Sequence, residues 1–238
     1  AKTYFIYHNG APTNGSGYRR PICIQELTFD ENGYVYPLSE TSIGLTGTAS
    51  VITDRDGKYL GHNGAVNPSG DGSYPLSMTI NTYDSENGYN TAWEIIDAKY
   101  VPAGENSDNY VSIQSVNKPG LYITADDGRV VLTQDHNGTF SQKMSFKTVK
   151  AVNGAENMVS FESVSEPGKF LTVSGGALTL SYGTDPDACV FGVGTATQQD
   201  VHEIDPAEKE PDPVAEPDIE QNFDDEPTGT LISLTADP

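Results

Sequence analysis

Residues 111–124 read VSIQSVNKPGLYIT, and residues 159–172 read VSFESVSEPGKFLT. The two phrases align without a gap: Val111 on Val159, Ser115 on Ser163, Pro119-Gly120 on Pro167-Gly168, and Tyr122 on Phe170. Val111 and Ile113 alternate with Ser112 and Gln114, the period of a half-buried strand. Pro-Gly then supplies a turn, proline fixing φ at one corner and glycine accepting a positive φ at the next. Leu121-Tyr122-Ile123 opens a second strand. The unit is a β-hairpin that cannot bury its own apolar face, so copies must pack together.

A looser third copy lies upstream. Asp56-Gly57-Lys58-Tyr59-Leu60 fits where Pro119-Gly120-Leu121-Tyr122-Ile123 sits, and Trp93 fits Phe146 and Phe191 as a shared core position. Residues 64–75 (GAVNPSGDGSYP) read as an inserted loop that lengthens this copy. Three copies of about fifty residues predict an all-β fold, a β-trefoil over 46–195, whose strands close on themselves and remove open edges.

Composition agrees. Hydrophobic residues make up 36% of the 238-residue chain, enough for a β-rich core, and 24 Gly with 15 Pro suit many turns. The net charge of −21 is uneven: residues 200–226 hold 12 acidic residues and one Lys. Nucleic acid is excluded as a partner, because phosphate binding needs a basic patch. No run of 18 apolar residues predicts a membrane span, and the opening AKTYFIYH is too short in apolar residues for a signal peptide. The lack of an initiator Met suggests a processed or excised piece. Cys23 and Cys189 are too far apart to read as a disulfide framework and are expected as two buried thiols. His8, His62, His136 and His202 are too scattered for a metal motif.

The ends differ from the repeat. Thr3–His8 and residues 21–29 and 35–38 read as three strands of a small sheet, with a loop at 9–17 and a strong turn at Asp30-Glu31-Asn32-Gly33. Such a sheet is too small to stand alone. Residues 196–227 alternate Pro with Asp and Glu and read as an extended acidic linker. Residues 228–238 regain β character and read as the possible start of a further module.

The phrase VSIQSVNKPGLYIT, then RVVL, then a closing aromatic at Phe146, resembles the β-trefoil domain of carbohydrate-binding module family 42, as in arabinofuranosidase-B-type enzymes. YFIYHN at 4–9, YRRPICIQELTFDENG at 18–33 and Thr-x-x-Gly at 41–44 resemble the end of a family 43 glycoside hydrolase, a five-bladed β-propeller. Residues 1–45 would then be terminal propeller strands. Together these resemblances imply the C-terminal, non-catalytic portion of a secreted or cell-surface, bacterial glycoside hydrolase acting on arabinose- or xylose-containing polysaccharide, with the trefoil binding arabinose-containing glycans. The N-terminal catalytic propeller would be its missing partner. No cofactor is implied for this chain; a calcium ion belongs, if anywhere, at the propeller axis of the parent enzyme.

By the same resemblance, His8 lies near the propeller axis and Arg20 faces a sugar subsite, although His8 also reads as a core histidine and Arg20 as a surface charge. Hydrolysis needs two carboxylates flanking the bond. In that family they come from earlier blades, so no catalytic residue is assigned here, and Glu26, Asp30 and Glu31 are not candidates. Family 42 pockets pair a histidine with an aspartate. Here those positions are His62 and Asn90 in the first copy, Ala125 and Lys143 in the second, and Val173 and Ala188 in the third. The candidate carbohydrate-binding residues are therefore His62 and Asn90 with Tyr59 beside them, and Asp126 (with Asp127) or Asp135 (with His136) as replacement carboxylates. A hairpin turn at 126–129 and a turn at His62 are the plain alternatives. Tyr74, Tyr83, Tyr89 and Tyr182 flank polar loops and offer rings for stacking on a sugar. Two further functions stay open: a structural trefoil that braces the propeller without binding sugar, and a free-standing inhibitor or lectin. The propeller-end phrases speak against the last.

Overall fold

The computed structural model describes residues 2–8, 22–27, 29, 32–35, 41–45, 48–62, 73–79, 89–126, 128–135, 138 and 140–196. The acidic 197–238 segment, the loop at 9–17, Arg20, Tyr83, Asp127 and His136 lie outside these residues.

The barrel is built from three units of four strands. The first holds β3 (Ser50–Thr53), β4 (Tyr59–His62), β5 (Tyr74–Thr79) and β6 (Trp93–Asp97). The second holds β7 (Tyr110–Ser115), β8 (Leu121–Asp126), β9 (Arg129–Gln134) and β10 (Phe146–Lys150). The third holds β11 (Val159–Ser163), β12 (Phe170–Ser174), β13 (Ala177–Ser181) and β14 (Gly192–Thr195). Outer strands pair β3–β6, β6–β7, β7–β10 and β10–β11; a Val159–Phe191 bridge joins β11 to the residue before β14, and β14 pairs back to β3. The sheet therefore closes. The inner hairpins β4–β5, β8–β9 and β12–β13 meet at one end through β5–β9, β9–β13 and β13–β5. This arrangement is all-β, closed and trefoil-like.

The repeated phrases behave as their chemistry requires. Gly57, Gly120 and Gly168 occupy the same turn at φ of 77°, 85° and 84°, a conformation that only glycine adopts without strain. The alternating residues point inward in sets of three. Ile52, Ile113 and Phe161 form one set; Trp93, Phe146 and Phe191 another; Leu60, Ile123 and Leu171 a third. Leu76, Val130 and Leu178 line the hairpin end. All belong to one buried cluster, and each large side chain contributes roughly 1.5–3 kcal/mol by leaving water. Trp93 also donates its Nε1–H to the Leu60 carbonyl at 2.9 Å, so its one polar atom is satisfied.

The bounds of the inserted loop need correction. The inserted loop does not extend to residue 75: Tyr74 and Pro75 already belong to β5, where they pair with Leu132 and Val131 of β9. Cross-strand pairing overrides the turn signal of Ser-Tyr-Pro. At the N-terminus, β1 (Thr3–His8) and β2 (Ile22–Leu27) form a two-stranded antiparallel sheet. Of the expected third strand only Val35 is described, bridging Phe29 around Gly33; residues 36–38 lie outside the described residues. Ile6 and Ile22 are 64% and 66% exposed, so this ribbon does not bury its apolar side chains. Residues 41–45 contact the barrel instead: Ser42 N–H donates to the Val116 carbonyl at 2.8 Å, and Ile43 packs on Ala49, Ala92 and Val116. Cys189 is buried as expected, Cys23 is half-buried, and neither is bridged. Among the described residues no helix is long and apolar enough to cross a membrane.

Candidate functional site

The turn of each hairpin leans on the unit before it. Val116 N–H donates to the Ala92 carbonyl at 3.1 Å, and Val164 N–H does the same to Ser145 at 3.1 Å. In the first case this lays Asn117 and Lys118 over the end of β4. There Gly61 admits a close neighbour: a Cβ on it would sit 3.0 Å from Thr91 Cγ2 and 3.3 Å from the Asn90 carbonyl oxygen. The His62 N–H donates to that same carbonyl at 3.2 Å.

A buried polar cluster results. His62 is 5% exposed. Its Nε2 lies 3.0 Å from Asn117 Oδ1 and 3.2 Å from Ser115 Oγ. The Ser115 hydroxyl donates to Asn117 Oδ1 at 3.0 Å, and Asn117 Nδ2 donates to Asn90 Oδ1 at 2.8 Å. Because Asn117 Oδ1 only accepts, the imidazole donates to it through Nε2–H. The ring stands edge-on to Trp93 and tilted to Tyr74, each at 6.2 Å between centroids. Burial lowers the His62 pKa to about 4; the Asn117 hydrogen bond opposes this, and the Lys118 ammonium adds to it. The imidazole is therefore neutral at pH 7. Lys118 Nζ lies 4.8 Å from the Tyr74 ring centre, and burial lowers its pKa as well. Amide, hydroxyl and imidazole groups beside an aromatic ring are the groups that bind sugar hydroxyls and stack on a pyranose or furanose face.

The sequence candidates divide accordingly. His62 and Asn90 are brought together, linked through Asn117. Tyr59 is not with them: it alternates with Leu60 along β4, so its side chain leaves from the face opposite His62. Asp126 pairs with Lys143, whose ammonium also lies 5.3 Å from the Phe140 ring centre. Asp135 is buried and accepts from Phe140 N–H at 3.3 Å and Ser141 Oγ at 3.4 Å, which makes it a loop fastener. Neither carboxylate belongs to the His62 cluster. His8 is exposed at the end of β1 opposite Ile22, and Arg20 falls outside the described residues. Tyr89, in a left-handed conformation at φ 57°, packs toward Ala92 and Val116. Tyr182 stands 71% exposed with Lys169 Nζ 5.2 Å from its ring centre. Ser115, Asn117 and Lys118 were not predicted. The signal for Asn117 and Lys118 lay in the repeat itself, where SVNKPG departs from SVSEPG at the two residues before Pro-Gly; Ser115 recurs as Ser163 and carried none. Among the described residues no three of His, Cys, Asp or Glu are grouped to hold a metal.

The model of the alpha-L-arabinofuranosidase B (ABFB) domain family matches residues 77–200, more than half of the sequence, and the chain belongs to that family. The match includes Asn90, Asn117 and Lys118 and begins after His62 and Tyr74. No curated protein sequence matches significantly. Among solved structures, an arabinofuranosidase complexed with arabinofuranosyl-α-1,2-xylobiose is 19% identical over 69% of this chain and 34% of its own, with a TM-score of 0.48. A GH54 α-L-arabinofuranosidase mutant soaked with 4-nitrophenyl α-L-arabinofuranoside gives the same identity and TM-score over 68% and 32%. SeviL bound to asialo-GM1 saccharide is 12% identical over 63% and 98%, at 0.45. The matched region spans about a third of the arabinofuranosidases' length.

Proposed function

We propose that the barrel is a β-trefoil carbohydrate-binding module that holds arabinose-containing glycans at the His62–Asn90–Asn117 cluster. In this reading it serves the non-catalytic part of a secreted glycoside hydrolase acting on plant polysaccharide, with residues 1–45 as the closing strands of a family 43-like propeller. The observation that carries it is the cluster itself: a neutral buried imidazole, two linked amides and a hydroxyl between Tyr74 and Trp93, in a chain of the ABFB domain family. The exposed apolar ribbon β1–β2 supports the propeller assignment, because such a surface calls for a covering partner.

Isothermal calorimetry with arabinoxylan oligosaccharides tests the reading. Wild type should bind at millimolar sugar or below, and His62→Ala should not. Alanine is what the second unit carries at this position (Ala125), so the fold should accept it. Absence of heat with wild type would sink the binding role. The second reading, a brace that binds no sugar, draws on the other two units: Lys143 and Asp126 neutralise each other, and Val173 and Ala188 offer no polar side chain.

A further inference from the structure

Lys118 is one of several described cations without a carboxylate partner, Lys99 over the Tyr122 ring being another; it is set apart by lying beside His62 and by the burial that disfavours its charge. Lys2, Arg55, Lys143, Lys147 and Lys169 each pair with a carboxylate. Lys118 forms no ion pair with any described residue; its ammonium rests on the Tyr74 ring beside His62 and Asn117. It is half-buried, and removing an ammonium from water is unfavourable unless an opposite charge answers it. The chain is strongly acidic overall, at −21, so the lack of a carboxylate partner among the described residues is not explained by a shortage of acids. The groups that touch one another in this cluster are an imidazole, two amides, a hydroxyl, two aromatic rings and this ammonium. None is an anion. At the equivalent place in the third unit stands Glu166, paired with Lys169, so the charge at this turn is reversed between units.

We propose that the glycan held at this site carries a carboxylate, as a uronic acid residue does, and that Lys118 is the group that reads it. The proposal rests on the sugar-binding role of the His62 cluster. His62, Asn90 and Asn117 address the hydroxyls, Tyr74 supports a ring face, and the Lys118 ammonium answers the carboxylate at the rim with a charge-assisted hydrogen bond. A neutral sugar would leave the ammonium desolvated and unanswered.

The test compares one xylo-oligosaccharide bearing both arabinosyl and glucuronosyl branches with the same molecule after reduction of its carboxylate to an alcohol, on the full chain. The acidic form should bind about tenfold more tightly than the reduced form, the scale expected of a hydrogen bond to a charged group. The advantage should shrink in high salt and disappear in Lys118→Gln. Circular dichroism should show Lys118→Gln folded, since the third unit has a different side chain at this turn. Equal binding of the two forms by wild type would overturn the proposal and leave the sugar-binding role intact. A preference that survives in Lys118→Gln would overturn the assignment to Lys118. Failure of both forms to bind would overturn the underlying role as well.

Discussion

Where the first unit carries His62 and Asn90, the second carries Ala125 and Lys143 on the same backbone frame. The frame is common: His62 N–H bonds the Asn90 carbonyl at 3.2 Å, and Ala125 N–H bonds the Lys143 carbonyl at 2.8 Å. The chemistry is opposite. In the first unit the polar groups face each other across two units through Asn117. In the second, Lys143 reaches Asp126 and Phe140 of its own unit. The third has Val173 and Ala188, and its neighbouring surface is fastened by Arg55 from the first unit bonding Asp187, which also accepts from Asn153 at 2.9 Å. A repeated scaffold thus keeps its hydrogen-bonded skeleton while each unit satisfies its polar side chains separately. Among the described residues, the first unit's cluster joins imidazole and amide groups, whereas the second pairs an ammonium with a carboxylate.

The comparison can be broken most severely at what the units share. Trp93→Ala and Phe146→Ala should each cost about 3–5 kcal/mol in urea unfolding, since both are fully buried at one repeated position. A loss below 1 kcal/mol at either (roughly a surface substitution) would mean that the threefold core is not shared.

The next effect belongs to the first unit alone. The unfolded chain protonates His62 near pH 6.5 and the folded chain only near pH 4. His62 therefore contributes its full share of stability above pH 6.5, and that share falls as pH drops toward 4, by about 3 kcal/mol in all. Denaturation across this window should show the loss in wild type and a smaller one in His62→Ala. Parallel curves would show that His62 is not the titrating group.

Asn117→Ser places the residue of the third unit's turn (Ser165) into the second unit's turn, which lies over His62 of the first. It should cost about 1 kcal/mol by removing the bonds to His62 and Asn90, and it should abolish the calorimetric signal for sugar. Retained binding would remove Asn117 from the site. The smallest effect is expected in the second unit: Asp126→Asn should change stability by less than about 1 kcal/mol, because the Lys143 pair is partly solvated. Sugar affinity should be unchanged, and a change would mean that the second unit also binds.

Much of this was legible in the chain. Ile113 and Phe161, Tyr122 and Phe170, and Gly120 and Gly168 recur because strand alternation and turn geometry are local demands that every copy must meet. Trp93 was recognisable as core from its register with Phe146 and Phe191. The start of β5 was not, because Tyr74 and Pro75 are strand only through pairing with β9, a contact between units. The cluster was half legible: His62 and Asn90 stand at repeat positions, but Asn117 and Lys118 lie in the next unit's turn.

The sequence by itself determined the closed all-β body, since alternating apolar residues and Pro-Gly or Asp-Gly turns permit only hairpins that must pack against their copies. The tertiary structure decided which polar side chains meet. A side chain's partner is set by how one unit's turn leans on the unit before it. That geometry joins Asn117 of one unit to His62 and Asn90 of the unit before it.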